Sequence, residues 1–97
     1  MSSPDFVIIL DRATTEQRNA VHELIKANSK GWWHRFIDVW IASGKTVEEW
    51  RDLIAPAISN PATVLVTKFP EKEPGSARWA SSGPNSSETF AWFKKNL

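Results

Sequence analysis

Cysteine and tyrosine are absent from this chain of 97 residues, glycine occurs only four times, and no apolar run is long. Without cysteine there are no disulfides, no thiolate nucleophile and no thiolate metal site, which fits a reducing cytoplasm. The longest apolar run, Phe6 to Leu10, falls far short of the roughly 20 residues a membrane helix needs. The start, Met1-Ser2-Ser3-Pro4-Asp5, carries neither a basic segment nor an apolar one, so a secretory signal is not expected. Charge of one sign is also lacking. The formal net charge is +1, so no global field draws the chain to nucleic acid or membrane, and any anion site must be a local patch. Few glycines leave no phosphate-cradling loop, and no nucleophile–His–acid arrangement can be assembled.

What is present is tryptophan, six of them, with 41% hydrophobic residues overall. That is enough for one small core in one domain spanning 1–97. Tryptophan is large and rarely fully buried, so some of the six are expected at an interface or ligand site.

Phe6-Val7-Ile8-Ile9-Leu10 is apolar on both strand faces, as a central strand is. Thr14 and Gln17 form a capping box for a helix over 15–28 with Ala20, Val21, Leu24, Ile25 and Asn28 as its stripe. The stretch from Gly31 to Ser43 then reads as two antiparallel strands, 32–36 and 39–43, around a turn at Ile37-Asp38. Alternation places Trp32, His34 and Phe36 on one face and Trp33, Arg35 and Ile37 on the other. Thr46 and Glu49 make a second box, for a short helix carrying Val47, Trp50, Leu53 and Ile54 and limited by Pro56. Residues 61–69 are β-branched and give the fourth strand. Residues 70–85 turn to Pro, Gly, Ser and charge, a long flexible loop of the kind that is functional or disordered. A last helix over 86–96 is capped by Asn85, with Glu88 at its third position and Phe90, Phe93 and Leu97 as packing residues. Lys94 and Lys95 suit its C-terminal end.

The order β-α-β-β-α-β plus a terminal helix points to an α+β, ferredoxin-like antiparallel sheet with two helices on one face. The other face is expected under a second copy or the C-terminal segment.

Trp32-Trp33-His34, Asp38, Trp40-Ile41, Glu48-Glu49 with Arg51-Asp52, Val64-Leu65-Val66 and Phe93-Lys94-Lys95-Asn96-Leu97 together resemble small bacterial and phage proteins labelled SinR-family. These are grouped with the CRISPR-associated spacer-integration subunit and VapD-like ribonucleases. Ala77 to Trp79 is similar to that family's segment after the sheet. The resemblance implies a ferredoxin-like homodimer. In the nuclease members it implies an aspartate at the end of the first strand, near the dimer axis, in a position similar to Asp11.

Several residues are candidates for chemistry. Asp11 could hold Mg²⁺ with a second protomer's carboxylate, or simply start a turn. Asp5 and Glu16 are the other acids near that end. His34 could act as a base or ligand, or pack among tryptophans, and His22 reads as a boundary residue. Two histidines so far apart in sequence give no zinc spacing. Trp50 belongs to the core. Trp33 and Trp40 are expected to be exposed, either in a dimer interface or stacked on nucleobases. Arg78 and Trp79, with Arg12, Arg35 and Lys68, could form an aromatic and basic pocket for a phosphate-bearing ligand.

The reading favoured by these residues is a non-enzymatic accessory protein of bacterial or phage type, without a cofactor, forming a homo-oligomer. It would bind a nucleotide-like ligand, nucleic acid or a protein partner, and one version is a phage counter-defence factor that sequesters a nucleotide signal. The alternatives are an Mg²⁺-dependent endoribonuclease using Asp11, with His34, and a purely structural interaction module.

Overall fold

The computed structural model describes residues 5–70, 82–83 and 86–96. β1 (Asp5–Asp11), β2 (Trp32–Phe36), β3 (Val39–Ser43) and β4 (Thr63–Lys68) form one antiparallel sheet in the order β2-β3-β1-β4. The helices are α1 (Thr15–Asn28), α2 (Val47–Ile54) and α3 (Ser86–Asn96), with a 3₁₀ turn at Ala55–Ala57 after α2. The chain is α+β, as its sequence pattern implies. Among the described residues no helix is long and apolar enough to cross a membrane.

Local chemistry sets the helix starts. Thr14 Oγ1 accepts from the Gln17 N–H, and Gln17 Oε1 accepts from the Thr14 N–H, closing the capping box. At α2, Thr46 Oγ1 accepts from the Glu49 N–H. Pro56 falls in the 3₁₀ turn, where α2 has already ended.

β1 lies at the centre because both its faces are apolar. Phe6, Ile8 and Leu10 point toward α1 and α2, where Val21, Ile25, Trp40, Ala42, Trp50 and Ile54 complete the main core. The expected α1 stripe is narrower in the structure. Val21 and Ile25 are buried and Leu24 is partly so, while Ala20 and Asn28 are exposed. Residues four apart meet the sheet, and their neighbours turn away from it.

The second face carries its own cluster: Trp33, Ile41, Phe69 and Phe93, with Val7 and Trp92 packed against them. The C-terminal segment, through α3, therefore covers part of that face. Among the α3 packing residues, the side chain of Phe90, the cap Asn85 and Leu97 lie outside the described residues.

β2 departs from simple alternation. Its register against β3 runs Trp32↔Ala42 and Trp33↔Ile41, then shifts to Phe36↔Val39. One extra residue is held in β2, as a bulge requires. Phe36 therefore lies on Trp33's face, and the two rings meet edge to face at 5.1 Å. The expected grouping of Phe36 with Trp32 and His34 is corrected by that bulge.

Ile8→Ala is expected to lower the unfolding free energy by about 2–5 kcal/mol. Thr14→Ala should cost about 0.5–2 kcal/mol. Both should appear as lower urea midpoints at an unchanged slope.

Candidate functional site

Three groups of side chains stand out: an imidazole–indole cluster under α1, an apolar row on the second sheet face, and the polar end of β1.

The cluster joins α1 to β2 and β3. His34 stacks on Trp40, with ring centroids 4.3 Å apart and planes at 14°. His22 comes from α1 and lies 5.1 Å from both His34 and Trp32. Two hydrogen bonds fix the proton positions. Trp40 Nε1–H, which can only donate, meets His22 Nδ1 at 3.1 Å, so that nitrogen is the acceptor. His34 Nε2 lies 3.0 Å from the Ile37 carbonyl, which can only accept, so His34 Nε2 carries a proton. Neutral His22 then bears its proton on Nε2, and neutral His34 offers a lone pair at Nδ1. His22 cannot keep the Trp40 bond and give a metal the lone pair of Nε2. The two rings are a donor and an acceptor rather than a chelating pair. The pKa of His22 is lowered from its ordinary 6.5, first by burial, then by His34 and Lys26, with Glu23 opposing. Sequence separation hid this contact. The signal for it was His22 at the border of the α1 stripe and His34 sharing the helix-side face with Trp32.

The β2–β3 turn beside this cluster is tied down. Arg18 Nε donates to Asp38 Oδ1 at 2.7 Å in a half-buried pair. The Leu10 N–H donates to the Asp38 carbonyl at 2.8 Å. Arg18 was not singled out in the sequence, and its value becomes visible only when α1 is laid over the turn.

The apolar row follows from the sheet register. Phe36 pairs with Val39, Val39 with Ile9, and Ile9 with Leu65, so one row crosses all four strands on the α3 side. Phe36 is 59% exposed and Leu65 56% exposed, and Ile37 in the adjoining turn is 69% exposed. Val39 and Ile9 are half-buried.

The expected exposure of Trp33 and Trp40 is corrected. Trp33 is 4% exposed, under Phe93 of α3, and Trp40 is fully buried under α1 and α2. Neither offers a free face to a nucleobase. Trp33 Nε1 is buried and has no hydrogen-bond partner among the described residues. Trp50 is core, as expected, and its Nε1–H donates to the Gly44 carbonyl at 2.9 Å.

Among the cationic candidates, Arg12 and Arg35 lie toward the same end of the sheet, two strands apart, whereas Lys68 is at the other end of the β1–β4 ladder. Arg12 adopts φ 59° and is paired with Asp11 at 3.8 Å, both exposed. Arg35 pairs with Glu88 of α3 at 3.1 Å. Arg78 and Trp79 lie outside the described residues. Asp11 is exposed at the end of β1, and among the described residues no group of three or more His, Asp or Glu side chains could hold a metal ion. The capping box already occupies two backbone N–H groups at the start of α1, leaving a poor anion site there.

No family model matches the chain, and no curated protein or solved structure matches it either.

The cluster makes a pH prediction. Because His22 has a lower pKa folded than unfolded, its contribution to stability is present above about pH 6.5 and is lost as pH falls through the lower folded value. Protonation at Nδ1 would also set a donor against Trp40 Nε1–H. His22→Gln keeps an acceptor within reach and removes the titration. Urea unfolding of both proteins across this window should show a steeper acid loss in the wild type. Parallel curves would overturn the assignment.

Proposed function

We propose that the protein is a non-enzymatic accessory factor that works by binding a protein partner through the second face of its sheet. The observation that carries this reading is the row Phe36–Val39–Ile9–Leu65, with Ile37 beside it, which places apolar surface in solvent across four strands. Contiguous exposed apolar surface of this kind marks an interaction site.

The charges around the row favour a protein over a polyanion. Arg12 is matched by Asp11 and Arg35 by Glu88, so among the described residues these two arginines give no unpaired basic track beside the row. A nucleic-acid surface needs an unpaired basic track. The nucleotide-binding version relied on tryptophans that could stack, and Trp33 and Trp40 lie in the two cores. The nuclease version relies on Asp11, whose neighbour is an arginine rather than a second acid. A partner presenting an apolar ridge, with few charges at its centre, suits the row better than either.

Kinship with the SinR-family proteins, a ferredoxin-like topology and a bacterial or phage origin belong to the same proposal. The support for the topology is the strand order taken from the other edge, β4-β1-β3-β2, with α1 and α2 contributing to one core on one face.

The test is affinity capture with immobilised wild-type protein and Phe36→Asp, alongside a thermal-shift screen against mononucleotides, cyclic oligonucleotides, RNA and DNA with and without Mg²⁺. Phe36 is solvent-exposed apart from its edge-to-face contact with Trp33, so the variant should stay folded and lose only about 0.5–1.5 kcal/mol of stability. A protein retained by the wild type and lost by Phe36→Asp supports the reading. Equal retention by both, or a nucleic-acid ligand that raises the melting temperature, would overturn it. A ligand at 100 times its Kd adds about 2.7 kcal/mol of apparent stability, so such binding would be easily seen.

A further inference from the structure

Among the described residues β4 is an edge strand, and its sequence reads the same in both directions: Thr63-Val64-Leu65-Val66-Thr67. Antiparallel pairing of two such segments, centred on Leu65, places Thr63 opposite Thr67, Val64 opposite Val66, and Leu65 opposite its own copy. Like would face like at every position. Thr–Thr and β-branched pairs are favourable cross-strand neighbours.

The backbone has the parity this register needs. The Phe69 N–H donates to the Asp5 carbonyl at 2.8 Å, continuing the β1–β4 ladder by one residue pair. Hydrogen-bonded pairs alternate along an antiparallel ladder. Thr67, Leu65 and Thr63 therefore direct their backbone groups to β1, and Val66 and Val64 direct theirs to the open edge. In the Leu65-centred register, Val64 of each chain meets Val66 of the other, so the outward-facing groups oppose one another and each pair exchanges both hydrogen bonds. Leu65 sits on the axis in a non-hydrogen-bonded pair, where side chains approach most closely.

Two further features agree with pairing. No charged residue lies between Thr63 and Thr67, and the first one, Lys68, would oppose Ala62 rather than another cation. A strand edge without charge, proline or bulge is a ready template for another strand. The apolar row also ends at Leu65. Pairing would join it to the same row in the second copy, giving one continuous strip across eight strands.

We propose that the chain forms a two-fold dimer by antiparallel β4–β4 pairing centred on Leu65. A pairing this short buries less than the roughly 800 Å² per partner of a standard interface, so the dimer is concentration-dependent. The inference does not rest on the partner reading. Phe36 and Leu65 are at opposite edges of the sheet, so the two tests fail separately.

The absence of cysteine makes the register directly testable. Leu65→Cys, Thr63→Cys and Thr67→Cys each introduce a single thiol into the full-length chain. Under mild oxidation Leu65→Cys should give a covalent dimer, because opposed residues fall within disulfide reach. Thr63→Cys alone and Thr67→Cys alone should stay uncrosslinked, since each thiol would be about 13 Å from its own copy. A mixture of the two should crosslink. In parallel, sedimentation equilibrium of the wild type should show mass rising from one chain toward two with concentration. Leu65→Lys, which opposes two like charges at the axis, should raise the dimer dissociation constant about tenfold or more. A monomer at every concentration, equal crosslinking of all three thiols, or unchanged association in Leu65→Lys would each overturn the proposal.

Discussion

Ile8 has no exposed surface, and it lies in the middle of a strand paired on both sides. Its strand serves two layers, as β3 also does with Trp40 and Ala42 on one face and Ile41 on the other. Phe6, Ile8 and Leu10 complete a core beneath α1 and α2, while Val7 joins a second cluster beneath α3. An apolar strand of this kind is stable only when both faces are covered. The helices α1 and α2 meet that need on one face completely. On the other, α3 reaches Val7, and Ile9 two residues further along is left half-buried among exposed neighbours. The apolar row of the second face is the remainder of that incomplete cover.

The imidazole–indole cluster shows how a small core places its polar atoms. Trp40 is fully buried, so its N–H must find an acceptor inside the protein. His22 supplies it, and this fixes the tautomer of His22 and removes it from metal binding. His34 is held in turn by the Ile37 carbonyl, which links the cluster to the turn that Arg18 secures through Asp38. In this setting His22 is the acceptor for a buried indole N–H, and His34 is the ring stacked on that indole. Trp33 has no such partner among the described residues, and an unmet buried donor costs about 1–3 kcal/mol.

Much of the fold was legible because its signals are local. The Thr14–Gln17 box, the end of α2 near Pro56, and the limits of β2 and β3 each follow from residues within a turn of one another. The C-terminal helix as cover for the second face was also legible, as one of two options. The candidate site was much less so. Alternation in β2 is a local rule, but its bulge is set by pairing with β3, and no glycine or proline marks it. Trp33 and Trp40 disappear into the two cores through contacts with Phe93 and the helices, all remote in sequence. His22 and His34 are brought together by the crossing of α1 over the sheet edge. Composition gave the number of aromatic rings, and only the packing assigned them to inside and outside.

The β2 bulge has an evolutionary meaning. It moves Phe36 from the helix side of the sheet to the solvent side without any change in amino-acid content. Loss of one residue between Trp33 and Phe36 would restore alternation and leave that ring on the outer face, two positions from Trp33. The extra residue therefore lets β2 keep both rings outside and still carry His34 against Trp40 and Arg35 against Glu88 between them. Among descendants of this chain, a single-codon deletion there would keep the outer row and cost one of those two contacts.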